Sequence, residues 1–123
     1  MTDGQATPRS ILVVDDKEDI CEVLALLLRL RGHAVEIAYD GPAALNIVAG
    51  FSPDFALVDL HLPRMDGYEL ARRLRARFDP LVLVAMTASP DGADGTKARA
   101  ALFDEHLPKP IDLDHLWSIL AKH

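Results

Sequence analysis

Three carboxylates, a hydroxyl and an amine occupy comparable places in this chain. Asp15 and Asp16 follow the apolar run Ile11 to Val14, Asp59 follows Phe55 to Val58, Thr87 follows Leu81 to Met86, and Lys109 follows the shorter run Glu105 to Leu107. If these runs are parallel strands, all five side chains gather at one edge of one sheet. Each alone has an ordinary explanation: a strand-end Asp caps the next helix, Thr is a good strand residue, and a lone Lys is solvated. Delivered together by four separate strands, they make a site. Converging carboxylates repel one another, so the cluster wants a cation. An oxygen-only donor set points to Mg²⁺, with Mn²⁺ as the alternative. Asp59 is the natural nucleophile, because a carboxylate can attack phosphorus in line to give an aspartyl-phosphate while a metal neutralises the transferred charge. Thr87 would donate a hydrogen bond to a phosphoryl oxygen. Lys109 would pair with the carboxylate before transfer and with the phosphoryl group after it.

The elements that must position these residues follow from two alternating periodicities. Ile11 to Val14, Ala34 to Ala38, Phe55 to Val58 and Leu81 to Met86 read as strands, the first and last continuously apolar as in a sheet covered on both faces. The weaker run Glu105 to Leu107 is placed at an edge, where Pro108 is tolerated. Between them, Ile20, Val23, Leu24, Leu27 and Leu28 form a helical stripe ended by Gly32. Further helices are expected over about Pro42 to Val48, Gly67 to Phe78 and Asp112 to Lys122, capped by Asp40, Asp66 and Asp112. The Pro, Gly and Asp of Ser89 to Gly95 leave room only for a short helix from about Thr96. Strand and helix alternating in this way imply right-handed crossovers, a doubly wound parallel α/β sheet, and function at the carboxyl ends of its strands.

Length and composition narrow the function. A chain of 123 residues, half of them hydrophobic, fits one domain; residues 1–9 read as a disordered lead-in and 10–123 as the domain. A formal net charge of -6 disfavours direct binding to nucleic acid or to an anionic membrane. Arg72, Arg73, Arg75 and Arg77 are read as a solvated helix face. The only cysteine, Cys21, cannot form an internal disulfide and is read as an inert thiol, in the core or on a helix face. With no signal peptide and no run of membrane-spanning length, the expected location is cytoplasmic.

The strings ILVVDD (Ile11 to Asp16), DLHLPRMDG (Asp59 to Gly67), MTA (Met86 to Ala88) and LPKP (Leu107 to Pro110) resemble the receiver domains of bacterial two-component response regulators. The resemblance runs from Ser10 to Lys122. It implies a flavodoxin-like five-stranded sheet of order 2-1-3-4-5 and phosphotransfer from a phosphohistidine on a histidine kinase or histidine phosphotransfer protein, which docks on the first helix. Slow self-catalysed hydrolysis would follow. It also implies that Asp15, Asp16, Asp59 and the backbone carbonyl of His61 hold the metal, that Thr87 and Lys109 contact the phosphoryl group, and that the Lys109–Pro110 peptide is cis.

Several positions depart from the family pattern. His106 stands where Tyr or Phe usually acts as a switch; it either takes over that role with a pH-sensitive charge, or is a surface histidine on an edge strand. Leu102 replaces a usual Gly, which predicts an atypical turn. His61 and Ser89 lie where the family tunes the lifetime of the phosphoryl group. Leu26 and Leu30 lie off the main stripe of the first helix, so they either form an exposed docking strip or pack against the last helix through Leu116, Ile119 and Leu120. The reading is a stand-alone receiver, or one cut from a larger hybrid kinase, acting by protein binding or phosphorelay. Rival readings are an aspartyl-phosphate phosphohydrolase, which would need an acid where His61 stands, a flavin binder, whose phosphate Asp15 and Asp16 would repel, and a pseudo-receiver that never takes phosphate.

Overall fold

The computed structural model describes residues 7–88 and 102–123. Its strands are β1 (Ser10–Val14), β2 (Ala34–Ala38), β3 (Phe55–Asp59), β4 (Val82–Thr87) and β5 (Glu105–Pro108); its helices are α1 (Glu18–Leu30), α2 (Gly41–Ile47), α3 (Gly67–Arg77) and α4 (Leu113–Lys122). The strands form one sheet in the order β2-β1-β3-β4-β5 that the family resemblance implies, every pair parallel as the alternation of strand and helix implies. The short helix expected from Thr96, the first six residues of the disordered lead-in expected over residues 1–9, and Ser89 lie outside the described residues. Arg9, the last residue of that lead-in, is not loose, since its N–H donates to His33 Nδ1 and its carbonyl accepts from the Ala34 N–H.

Strand alternation sorts the core into two layers. Leu12, Val14, Ala56, Val58, Leu83 and Ala85 meet Leu70, Ala71 and Leu74 of α3 and Ala44 of α2. Their neighbours Ile11, Val13, Leu57, Val84 and Met86 face the other way, onto Cys21, Leu24, Ala25 and Leu28 of α1 and Leu116, Ile119 and Leu120 of α4. Continuous apolar runs are thus required in the central strands, since both faces are dry.

The helix ends follow local chemistry. The carboxylates of Asp40, Asp66 and Asp112 accept from the backbone N–H groups of Ala43, Glu69 and Asp114. At the end of α1, Gly32 takes φ of 97°, its N–H donates to the Arg29 carbonyl, and the His33 N–H reaches back to Leu28. This paired closure leaves the chain turned into β2.

Two expectations need correction. Val23, assigned to the packed stripe of α1, is exposed; the buried line is Cys21, Leu24, Ala25 and Leu28. The helix is apolar on more than one side, and the period alone does not select the side that meets the sheet. The arginines of α3 are also not all solvated. Arg72 and Arg73 pair with Glu69 on the surface, whereas Arg75 donates to the carbonyls of Leu81 and Leu102 and to Asp104, tying α3 to the approach to β5. Leu102 lies in a turn, half-buried against the α2 and α3 layer.

His33 is buried, and its Nδ1 accepts from the Arg9 N–H at 3.0 Å, which joins the start of β1 to the start of β2. Burial, then the charges of Arg31 and Arg9, hold this imidazole below its ordinary 6.5. The folded state therefore binds fewer protons than the unfolded chain, and stability falls with falling pH. The loss should begin near the unfolded value of about 6.5 and deepen until the lower folded-state value is passed, reaching about 1 kcal/mol, the worth of one hydrogen bond. Urea melts at pH 7.5 and 5.5 on the wild type and on His33→Gln check this: the wild type should weaken more between the two.

Candidate functional site

The carboxyl ends of the strands bring the sequence candidates together. Asp15 follows β1, its N–H held by the Ala38 carbonyl at the end of β2, and is fully buried. Asp16 beside it is exposed. Asp59 closes β3, in register with Met86 of β4, and is buried too. Thr87 ends β4, buried, and its carbonyl accepts from the Lys109 N–H at 2.8 Å, so the β5 exit is stitched to the β4 end. The Lys109–Pro110 peptide is cis, as the family resemblance implies; a second cis bond, Asp79–Pro80, was not foreseen.

Lys109 Nζ lies 2.8 Å from Asp15 Oδ2 and 3.5 Å from Asp59 Oδ2. The other Asp15 oxygen accepts from the Lys17 N–H at 3.0 Å, and Asp59 Oδ1 accepts from the His61 N–H at 3.1 Å. Carboxylate oxygens of Asp15, Asp16 and Asp59 lie within 4.8 Å of one another. The Asp59 carboxyl is held above its ordinary value. Burial raises it most, the His61 N–H opposes, and the Asp15 charge adds to the rise against the pull of Lys109. Lys109 is itself raised: burial alone would lower it, but the bond to Asp15 and the charge of Asp59 outweigh that. Lys109 thus serves Asp15 and Asp59, and the exposed Lys17 ammonium stands 3.7 Å from Asp16 Oδ1. Three carboxylates against these two cations leave negative charge in excess, presented only through hard oxygens, which suits a small divalent cation.

Two residues that support the site were not foreseen. The Cys21 thiol donates to the Asp15 carbonyl at 3.1 Å, and burial followed by the Asp15 charge pushes its pKa up to about 12. The thiol thus stays protonated and inert, as expected of it, but it also braces Asp15. Gly67 opens α3 directly under Asp59: a Cβ there would stand 2.5 Å from the Asp59 carbonyl oxygen and 2.8 Å from Leu60 Cα. The available signal was a glycine just inside a capped helix, where no turn needs it.

His106 is exposed on edge strand β5, its ring 6.2 Å from that of Phe103, which meets Tyr68 edge-on at 6.0 Å. At the other end of the site, Ile20, Val23, Leu24 and Leu27 of α1 and Pro110 and Ile111 after β5 line an apolar groove of about 410 Å³.

The family model of the response regulator receiver domain matches residues 11–121. Response regulator MprA of Mycobacterium sp. (strain KMS) is 38% identical over 109 residues, which are 89% of this chain and 47% of the relative. MprA of Mycobacterium avium (strain 104) is 39% identical over 106 residues, 86% of this chain and 46% of the relative. The chain thus spans about half the length of these curated relatives. Among solved structures, a CheY-like response regulator receiver domain from Methylobacillus flagellatus superimposes with a TM-score of 0.85 at 30% identity, covering 94% of this chain and 98% of that one. TrrA of Thermotoga maritima, solved in complex with Mg(2+)-BeF, superimposes at 0.82 with 26% identity, covering 93% and 97%. Receiver domains are signalling proteins whose homologues work with histidine kinases, and no helix among the described residues is long and apolar enough to cross a membrane. With the sheet order, the strand-end acidic cluster and a family match over nearly its whole length in agreement, this chain belongs to the receiver domains of two-component response regulators.

Proposed function

We propose that the chain is a phosphorylation switch that accepts a phosphoryl group on Asp59 from a phosphohistidine of a histidine kinase or histidine phosphotransfer protein in the cytoplasm. The observation that carries this reading is the reach of Lys109 to both Asp15 and Asp59 within a cluster of three carboxylates. An Asp59 oxygen forms the new bond to phosphorus, the phosphorus–nitrogen bond breaks, and the imidazole leaves with the electron pair. Asp15, Asp16, Asp59 and the His61 carbonyl would hold Mg²⁺, or Mn²⁺, which supplies charge neutralisation at the transferred group. The Thermotoga neighbour, crystallised with Mg(2+)-BeF, supports that assignment.

Thr87 donates to a phosphoryl oxygen, and Lys109 exchanges part of its pairing with Asp59 for the transferred group. Water attack at phosphorus later returns Asp59 and inorganic phosphate, at a rate tuned by His61 and Ser89, so the chain catalyses only its own phosphorylation and decay. The phosphodonor docks over α1 and the groove beside Lys109, and output passes by protein binding or phosphorelay. His106, exposed beside Phe103, is the residue through which β5 reports the state of the site.

Intact-mass measurement after incubation with acetyl phosphate and Mg²⁺ tests the core of this reading. A single phosphoryl addition is expected, lost with EDTA and absent from Asp59→Asn. Addition that persists in Asp59→Asn would refute the acceptor assignment, and no addition to the wild type would leave a pseudo-receiver.

A further inference from the structure

The outer side of α1 is apolar beyond what the core uses. Val23, Leu26 and Leu30 are 55%, 57% and 72% exposed, and with half-buried Leu27 they form an i, i+3, i+4, i+7 stripe. That stripe lies two residues, roughly 200° around the helix, from the buried line Cys21, Leu24, Ala25 and Leu28. Apolar side chains aligned in this way on a surface helix mark an interaction face.

We infer that this face pairs with the same face of a second copy of the chain, α1 against α1 in antiparallel array about a two-fold axis near Leu26 and Leu27. Self-complementarity favours a second copy as the occupant. Val23 and Leu30 are symmetric about that axis, so each copy brings its most exposed leucine over Val23 of the other, at the mouth of the groove. Charge selects the antiparallel sense. The first half of α1 carries Glu18, Asp19 and Glu22, and its end carries Arg29 and Arg31. Glu22 and Arg29, both exposed, are seven residues apart and lie on one flank of the stripe, so the two-fold rotation brings the Glu22 of each copy to within two residues, about 3 Å along the axis, of the Arg29 of the other, a span their long side chains bridge. A parallel pair would instead carry the Glu22 and Arg29 flanks to opposite sides of the seam and align the two helix dipoles. Because the face is the one given above to the phosphodonor, which rests on the proposed function, the dimer withholds that face until a donor displaces the partner.

Sedimentation equilibrium of the full chain from about 1 μM to about 1 mM reads the inference directly. A reversible dimer is expected. Leu30→Glu should weaken it roughly a hundredfold, because each dimer loses the anchor twice. Glu22→Arg and Arg29→Glu should each weaken it roughly tenfold, and the double reversal should restore it. Arg29 also donates to the Val35 carbonyl, so thermal melting of each variant confirms that the monomer is intact. A chain that stays monomeric throughout overturns the inference, as does a double reversal no tighter than the single ones. Phosphorylation of the wild type by acetyl phosphate, which needs no docked protein, reads the proposed function separately, so failure of that reading and failure of the dimer are distinguished.

Discussion

Replacing Lys109 with Met should destabilise the metal-free protein by about 3 kcal/mol, the usual consequence of removing one member of a buried ion pair. Asp15 is fully buried, with Lys109 on one oxygen and the Lys17 N–H on the other. Met fills similar space but leaves the Asp15 charge without its counter-ion, and leaves Asp59 facing it at close range. The folded pKa of Lys109 is raised above its ordinary 10.5, so the stabilisation is fully present below that value and is lost as pH rises through the folded value. The deficit in Lys109→Met should therefore be constant across neutral pH. A second cation supplies the test of cause: if the loss is electrostatic, saturating Mg²⁺ should stabilise the variant more than the wild type. Urea melts with and without Mg²⁺ on both proteins measure this, and a gap unmoved by Mg²⁺ would assign the loss to packing.

Gly67→Ala should cost about 2–3 kcal/mol of stability, from one added methyl group. The obstacle is the backbone of Asp59 and Leu60, not the end of a side chain that could swing aside. Either α3 lifts or the end of β3 shifts, and both outcomes move Asp59 relative to Lys109. A displacement of that kind slows an in-line transfer roughly a hundredfold. Acetyl phosphate labelling of the folded variant, timed against the wild type, separates the two effects: normal labelling in a destabilised protein would show that α3 alone moved.

The fold was legible because its signals are redundant. Ile11 to Val14 and Leu83 to Met86 are apolar on both faces, Asp40, Asp66 and Asp112 stand where helices begin, and strand-end placement brought Asp15, Asp16, Asp59, Thr87 and Lys109 to one edge without further information. What escaped depends on contacts between residues distant in the chain. The inward side of α1 is fixed by what the sheet presents, so Val23 was put on the wrong side. Arg75 looked like its neighbours on α3, and only the proximity of Leu81, Leu102 and Asp104 sets it apart. His33 gave no periodic signal, because its partner is a backbone N–H at the start of another strand. Gly67 matters through the space it leaves free, which no pattern of side chains displays.

The pairing of Lys109 with Asp15 joins residues 94 positions apart. During synthesis the three carboxylates emerge first, and β1, β2 and β3 can associate before the ammonium that balances them exists. Contacts so distant in sequence form late, since the loop between them must close before they return any energy. Until β5 docks, the growing chain holds a cluster of like charge at the end of its sheet, offset only in part by the exposed Lys17 beside Asp16, and a divalent cation can substitute for Lys109. If the proposed Mg²⁺ binds this cluster, it should also hasten construction of the site.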